Sequence, residues 1–232
     1  MPRALNVYAI VRAEGPASIK TRSGHRLKRL TWGPVAAVVR EVTRPPVASP
    51  AQLRLYERHM RELAERFSAL LPARFATVIP ADELMVILSS RRQEFQRALS
   101  HVRGKSQMTV RVPVAPAVRQ TSVGAGAKQT SRRDASAAGG TIAASGRDYL
   151  RARAREAAEQ RQVPGFEPVR AAVARWVRDE RVEHRGGVST IYHLVPRASS
   201  ERYRQALQEA AAAAALPAVV TGPWPPYAFA AE

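Results

Sequence analysis

Short apolar stretches in the first part of the chain predict the strands of a sheet. Residues Leu5 to Arg12 alternate and are rich in Val, Ile and Tyr, which indicates an opening strand. Val35 to Val42 is an almost continuous apolar run and predicts a second strand, buried on both faces. Between them lies an acid-free segment that we interpret as a loop around Gly24, with the basic residues Lys20, Arg22, Arg26, Lys28 and Arg29.

A helical period then replaces the strand pattern. Ser49 favours the N-cap position and Pro50 the first position of a helix. Apolar residues follow at spacings of three and four, which predicts one core-facing stripe: Tyr56, Met60, Leu63, Phe67 and Leu70. We expect this helix to stop at Pro72 and Arg74 to Ile79 to form a short strand.

A second helix and a closing strand complete the predicted N-terminal unit. Residues Asp82 to Val102 carry apolar side chains at helical spacing, and Met108 to Val114 alternates like a strand. The order β-β-α-β-α-β predicts an α+β fold, a modified ferredoxin-like sheet with both helices on one face.

The composition changes abruptly after this unit. Residues 115–145 consist mostly of Ala, Gly, Ser, Thr and Gln and show no periodicity, so they predict a flexible linker. We therefore predict an N-terminal domain of residues 1–114 and a smaller C-terminal α+β domain of residues 146–232.

The C-terminal part returns to regular patterns. Gly146 to Gln162 and Glu167 to Val177 predict helices, separated by a break at Gly165. Arg181 to His184, the pair Gly186-Gly187 and Val188 to Val195 predict a β-hairpin. A further helix from Glu201 to about Ala214 and a last strand from Pro217 to Val220 follow.

The chain ends in a tail that combines prolines with aromatic residues. Three prolines fix φ and remove three amide donors, which predicts stiff polyproline-like backbone instead of helix or interior strand. Trp224, Tyr227 and Phe229 alternate with these prolines and need a groove to cover them. Two compatible interpretations remain: a tail docked on its own domain and a tail that binds a partner.

Several segments resemble one known family. Gly222 to Phe229 is similar to the Gly-Pro-Trp-Pro-Pro-Tyr-Ser-Phe ending of the gas vesicle protein F/L (GvpF/GvpL) family, with Ala228 in place of serine. Leu71 to Val78 resembles that family's Leu-Pro-x-Arg-Phe-Gly-Thr-Val segment, with Ala76 in place of glycine. Val7 to Val11 and Gly146 to Leu150 also fit the family's layout, so the resemblance spans nearly the whole chain.

The net positive charge is a strong feature of the sequence as a whole. The chain of 232 residues has a formal net charge of +18, which attracts polyanions such as nucleic acid, anionic lipid or acidic protein surfaces. Most of this charge is arginine spread along the chain, a pattern that is also typical of ordinary solvated surface. The chain has no cysteine and no apolar run long enough to span a membrane, so we expect a cytoplasmic protein without disulfides.

The residue patterns indicate no catalytic or metal chemistry. The five histidines show no paired metal-ligand spacing, and we expect His59 and His101 on polar helix faces and His184 and His193 facing each other across the hairpin. No Gly-x-Ser-x-Gly elbow, Walker loop or dinucleotide loop is present. We therefore expect no enzyme activity and no cofactor. The strands that would be central offer only Tyr8 for stacking on bases, which disfavours specific nucleic-acid binding.

The resemblance extends this interpretation to a function. It implies an accessory gas vesicle protein, located at the gas vesicle, that contacts the shell protein GvpA and other accessory proteins in a chaperone-like or nucleating role. As partner-binding residues we predict Trp224, Pro225, Pro226, Tyr227 and Phe229, with Arg74 and Phe75 as second choice. The alternative is a basic protein that binds nucleic acid nonspecifically through its Arg and Lys surface.

Overall fold

The computed structural model describes residues 4–113 and 162–230, which form two antiparallel sheets covered by helices. The predicted α+β class is confirmed. The predicted linker and most of the following helix lie in residues 114–161, outside the described part. The division into domains therefore stays a prediction.

The first sheet has the order β2-β3-β4-β1-β5, and β6 also pairs with β1. Its strands are β1 (Ala4–Arg12), β2 (Ser18–Lys20), β3 (Arg26–Trp32), β4 (Val35–Val42), β5 (Leu70–Pro72) and β6 (Val78–Pro80). The basic segment around Gly24 is thus a hairpin of β2 and β3, and our loop prediction was wrong. Its basic side chains mask the strand signal because only residues such as Ile19 and Leu27 point inward.

Three helices cover this sheet: α1 (Pro50–Arg66), α2 (Ala81–Ser90) and α3 (Arg92–Val102). Ser49 caps α1 as predicted, since its side chain accepts a hydrogen bond from the backbone N–H of Gln52. The helices lie on both faces of the sheet, not on one as predicted. The reason is visible in β4, where Ala36 and Val38 pack toward α1 and Val35, Ala37 and Val39 pack toward α2 and α3.

Several predicted boundaries shift in this region. The helix α1 ends at Arg66 because Phe67 is extended, and Leu70 belongs to β5. The strand predicted from Arg74 begins only at Val78. The predicted helix from Asp82 to Val102 is two helices that meet at Arg91.

The second sheet has the order β10-β7-β9-β8, all antiparallel. Its strands are β7 (Lys105–Pro113), β8 (Asp179–Arg185), β9 (Val188–Pro196) and β10 (Val219–Trp224). The predicted hairpin is therefore correct. The prediction that Met108 to Val114 closes the first sheet was wrong, because β1 is already paired on both edges and β7 lies between β9 and β10 instead.

Two helices cover one face of the second sheet: α4 (Glu167–Val173) and α5 (Ser200–Ala213). Single 3-10 turns follow α4 at Ala174–Trp176 and precede α5 at Arg197–Ser199. Met108, Val110 and Ile191 of the sheet pack against Phe166 and Tyr203 in a separate core. The opposite face of the sheet turns toward α1 and the C-terminal tail. Among the described helices, none has the length and apolar character that crossing a membrane requires.

Candidate functional site

The C-terminal tail begins as an edge strand of the second sheet. In β10, Val219, Val220 and Thr221 pair with β7, and the register shifts before Trp224 pairs with Gln107. The prediction of polyproline-like backbone instead of helix or strand was wrong here. Pro223 lies in β10, where a sheet edge tolerates proline, and a tight turn at Pro226 leads into a 3-10 turn. Gly222 has φ +120°, and a Cβ atom there would lie 2.8 Å from the Gln107 carbonyl oxygen, so only glycine fits.

After Trp224 the tail folds back onto the protein. Pro225 and Pro226 are buried, and Tyr227–Phe229 form one 3-10 turn. The backbone N–H of Ala228 donates a hydrogen bond of 2.8 Å to Oε1 of Gln107. Phe229 is only 4% exposed and packs into the core of the first sheet beside Leu194 of the second. The tail therefore docks on its own fold.

An open groove of about 530 Å³ runs between α1, the tail and the second sheet. Its apolar lining includes Leu53, Tyr56 and Met60 of α1, Phe75, Trp224 and Tyr227. A second pocket of about 260 Å³ shares Arg61, Trp224 and Pro225 with this groove. We call the larger cavity the tail groove.

The predicted partner-binding residues contribute to the tail groove unequally. Trp224, Pro225, Tyr227 and Phe75 all line it, although Phe75 is far from the tail in sequence. Tyr227 is 40% exposed, whereas Pro226 and Phe229 are buried and do not line it. Burial leaves these two residues no free surface to offer a partner, so in the folded protein they hold the tail in place.

Arg74 and Phe75 lie in the loop between β5 and β6. The ring of Phe75 meets Tyr56 edge-on, with ring centroids 5.5 Å apart. The hydroxyl of Tyr56 donates to the carbonyl oxygen of Ala73, which fixes the start of the same loop. Arg74 is exposed and is not part of the groove wall; its carbonyl oxygen accepts hydrogen bonds from Thr77.

Polar groups of the groove lining include two cations, one carboxylate and two enclosed hydroxyls: Arg61, Arg111, Glu57, Tyr56 and Tyr227. The guanidinium of Arg61 lies over the Trp224 ring, 5.0 Å from its centroid. Burial raises the pKa of Tyr227 to about 12, with a further rise from Glu57, because its hydroxyl is enclosed although the residue as a whole is half-exposed. Burial also raises the pKa of Tyr56, so both hydroxyls stay protonated at neutral pH. Within the described residues, neither Arg61 nor Arg111 forms a salt bridge.

Some residues of the tail groove were not predicted from the sequence. Leu53 is 43% exposed and lies three residues before Tyr56, so it extends the apolar stripe of α1 beyond the part that the sheet covers. That extension was the available signal. No sequence signal marked Gln107, because its contact with the tail depends on the tail returning to β7.

Two histidines are more buried than predicted. His59 is 1% exposed, and its Nε2 shares a hydrogen bond of 2.7 Å with the Ser23 hydroxyl. His193 is fully buried, does not face His184, and instead contacts the hydroxyl of Tyr203 at 2.6 Å and Glu180 at 2.8 Å.

The buried histidine network also sets the charge of Glu180. Burial raises the pKa of this carboxyl, but hydrogen bonds from His193 and Arg170 outweigh that effect and hold it below its usual range. Each group is thus satisfied by a protein neighbour, as in a structural network. In the part of the chain that the structure describes, no group of three or more His, Asp or Glu residues is arranged to hold a metal ion.

Comparisons with known proteins agree with one another. A family model described as gas vesicle synthesis protein GvpL/GvpF matches residues 4–231. The crystal structure of the gas vesicle protein GvpF from Anabaena sp. PCC7120 is similar, with a TM-score of 0.68 and 11% identity over 99% of both chains. The crystal structure of gas vesicle protein GvpF from Microcystis aeruginosa gives a TM-score of 0.69 and 12% identity, again over 99% of both chains. The search of curated proteins produced no match.

Proposed function

Because the chain belongs to the GvpL/GvpF family of gas vesicle synthesis proteins, we propose that it assists gas vesicle assembly by binding the shell protein GvpA. In this role it holds shell subunits in a chaperone-like or nucleating manner until they join the growing particle. The tail groove is the proposed binding site.

The observation that carries this proposal is the apolar lining of the tail groove. Six large apolar side chains are exposed in the described residues, and two of them, Leu53 and Tyr227, line this groove. A subunit destined for a gas-facing shell exposes apolar surface that aggregates in water. A groove with rigid aromatic walls covers such a segment with little loss of its own conformational entropy.

The charge of the protein supports the same kind of partner. A net charge of +18 speeds encounter with an acidic protein surface. Arg61 and Arg111 line the tail groove and have no carboxylate partner in the described residues, so they favour a partner segment with acidic residues next to its apolar ones. We therefore expect association rates to fall with salt and the apolar contacts to persist.

The structure determines which variants can test the groove. Removal of the tail after Val220 would also remove four of the six residues of β10, so loss of binding would not be distinguishable from unfolding. Single changes at the exposed rim are preferable. Leu53→Glu places a charge in the groove, and Val86→Glu is a matched control because Val86 is an exposed apolar residue of α2, outside the groove.

The experiment is capture of GvpA by the full chain at low salt and at about 0.5 M salt, where exposed charges are screened. We expect Leu53→Glu to weaken capture by about tenfold or more, because it buries a charge at the contact, and Val86→Glu to match the unmodified protein. Equal capture by the two variants would place the contact elsewhere. Absence of any GvpA capture, with nucleic acid copurifying in a salt-dependent way, would favour the alternative function.

A further inference from the structure

The strand β8 forms an outer edge of the second sheet. Among the described residues its only strand partner is β9, so its outward N–H and C=O groups have no ladder partner. Residues Arg181, Glu183, His184 and Arg185 are exposed. An edge of this kind is open to pairing with another strand unless its side chains oppose it.

When β8 pairs antiparallel with a second copy of itself, its charged side chains meet side chains of opposite charge. The strand reads Asp179-Glu180-Arg181-Val182-Glu183-His184-Arg185. In an antiparallel pair with a second copy, centred on Val182, Asp179 faces Arg185 and Arg181 faces Glu183. None of the seven positions places like charges opposite each other. Charged side chains protect a strand edge against most partners, and Glu180 points inward. A second copy of β8 is an exception, because it places opposite charges against this edge.

The complementary charges lie on one face of the sheet. Arg181 pairs in register with Tyr192 of β9, and the Tyr192 hydroxyl donates a hydrogen bond of 3.0 Å to Glu183. The guanidinium of Arg181 lies over the Phe229 ring, 5.5 Å from its centroid. Since side chains alternate along a strand, Asp179, Arg181, Glu183 and Arg185 share this face.

The charges on this face are incompletely paired within the described part of one molecule. Neither Arg181 nor Arg185 has a carboxylate partner there, and Glu183 accepts its hydrogen bond from a neutral hydroxyl. Asp179 forms no ion pair with an arginine there; it contacts the partly exposed His101 at 3.0 Å and accepts a hydrogen bond from the backbone N–H of Glu180. A second copy would supply both arginines with carboxylates.

We propose that β8 is a homodimer interface in which two copies pair antiparallel about Val182. Two four-stranded sheets then join into one continuous sheet. Four arginine–carboxylate pairs form across the junction, two between Arg181 and Glu183 and two between Asp179 and Arg185. Cross-strand pairs of opposite charge stabilise such a ladder, whereas like charges directly opposite destabilise it. Because these pairs are solvent-exposed, the dimer weakens as salt rises.

The test uses sedimentation velocity of the full chain over a concentration series. The unmodified protein is expected to show a monomer–dimer equilibrium. Arg181→Glu and Glu183→Arg each place like charges opposite each other, and each is expected to raise the dimer Kd by about tenfold or more. The double variant Arg181→Glu/Glu183→Arg exchanges the two charges and is expected to restore the dimer.

A mixture of the two single variants gives the sharpest result. Arg181→Glu in one copy faces Glu183→Arg in the other, so the mixture is expected to form a heterodimer more tightly than either variant alone forms a homodimer. Arg202→Glu is the matched control, since it makes the same charge change on the exposed face of α5 and should leave the dimer unchanged. A protein that is monomeric at all concentrations, or a dimer indifferent to Arg181→Glu, would overturn the proposal.

Discussion

At the scale of single residues, two left-handed backbone positions coincide with the segments that resemble the family. Gly222 has φ +120° and no room for a side chain. Ala76 has φ +59°, at the position where the family's segment carries glycine. An alanine in this conformation brings its Cβ close to the following carbonyl oxygen, which costs about 1–2 kcal/mol. The structure thus explains why glycine suits this position.

Replacement of Ala76 by glycine is expected to stabilise the protein. Relief of the left-handed strain outweighs the greater backbone entropy of glycine in the unfolded chain, with a net gain of about 0.5–1 kcal/mol. Chemical denaturation measures this change. Ala17→Gly, at an exposed loop position without a positive φ, should be neutral or destabilising. Equal effects of the two variants would contradict the strain at Ala76.

The buried His59 is a second residue with a measurable consequence. Burial lowers its pKa to about 4, with His25, Arg40 and Arg58 lowering it further and Glu62 opposing them. The unfolded chain therefore binds a proton at His59 near the ordinary pKa of about 6.5, while the folded protein does not. Where the unfolded state binds more protons, stability falls as the pH falls.

We expect the free energy of unfolding to decrease by up to about 3 kcal/mol between pH 6.5 and pH 4 because of His59. Below pH 4 both states are protonated and this contribution stays constant. His59→Gln should remove the slope in this window, which urea denaturation at a series of pH values measures. A variant that keeps the full slope would assign the effect to other groups.

At the scale of elements, Arg197 joins the end of α1 to the second sheet. It follows β9, and its guanidinium donates hydrogen bonds to the carbonyl oxygens of Ala64 at 2.6 Å, Phe67 at 3.0 Å and Lys105 at 3.3 Å. Ala64 lies in the last turn of α1, where carbonyl groups lack partners within the helix. Burial lowers the pKa of Arg197, but arginine remains charged at neutral pH.

Loss of this link should destabilise the protein more than loss of an exposed arginine. Arg197→Met leaves the carbonyl groups of Ala64 and Phe67 without a donor, which is expected to cost about 3 kcal/mol. Arg202→Met, on the exposed face of α5, should change stability by less than about 0.5 kcal/mol. Thermal unfolding of the two variants makes the comparison, and similar melting temperatures would exclude a linking role for Arg197.

At the scale of the whole molecule, β7 connects the two sheets. It follows α3, which covers the first sheet, and lies between β9 and β10 in the second. Leu194 and Phe229 also pack in the core of the first sheet, so the C-terminal part completes the N-terminal core. A boundary at residue 114 would therefore separate β7 from β9 and β10, the strands with which it pairs.

Fragments of the chain test this arrangement. A fragment of residues 104–232 retains β7 and is expected to form the second sheet, whereas residues 146–232 leave β9 and β10 without the strand that joins them. We expect well-dispersed amide NMR signals for the longer fragment, because it folds, and poorly dispersed signals for the shorter one, because it is unfolded. A well-folded fragment of residues 146–232 would support the predicted domain boundary instead.

Local sequence signals were sufficient for several elements. The strands β1 and β4, the start of α1 at Ser49 and Pro50, and the hairpin of β8 and β9 were all predicted. Each depends on apolar period, capping or turn residues within a few positions. The hairpin of β2 and β3 was not predicted because one face of these strands carries basic, solvent-exposed residues.

The candidate site was also predictable in part, because local sequence signals marked some of its residues. The aromatic and proline residues of the tail marked Trp224 and Tyr227, and the family-like segment marked Phe75. Their meeting in one groove with Leu53 depends on the tail returning over α1, which no local pattern records. Burial of Phe229 follows from the same return.

The sequence by itself determined the α+β class, the family and most of the periodic elements, because these depend on neighbours along the chain. Only the tertiary structure decided that β7 belongs to the second sheet, that helices cover both faces of the first, and that part of the tail is buried. A strand pattern specifies which side chains turn inward but not which backbone edge is free. That choice depends on distant segments, here the strands that already occupy both edges of β1.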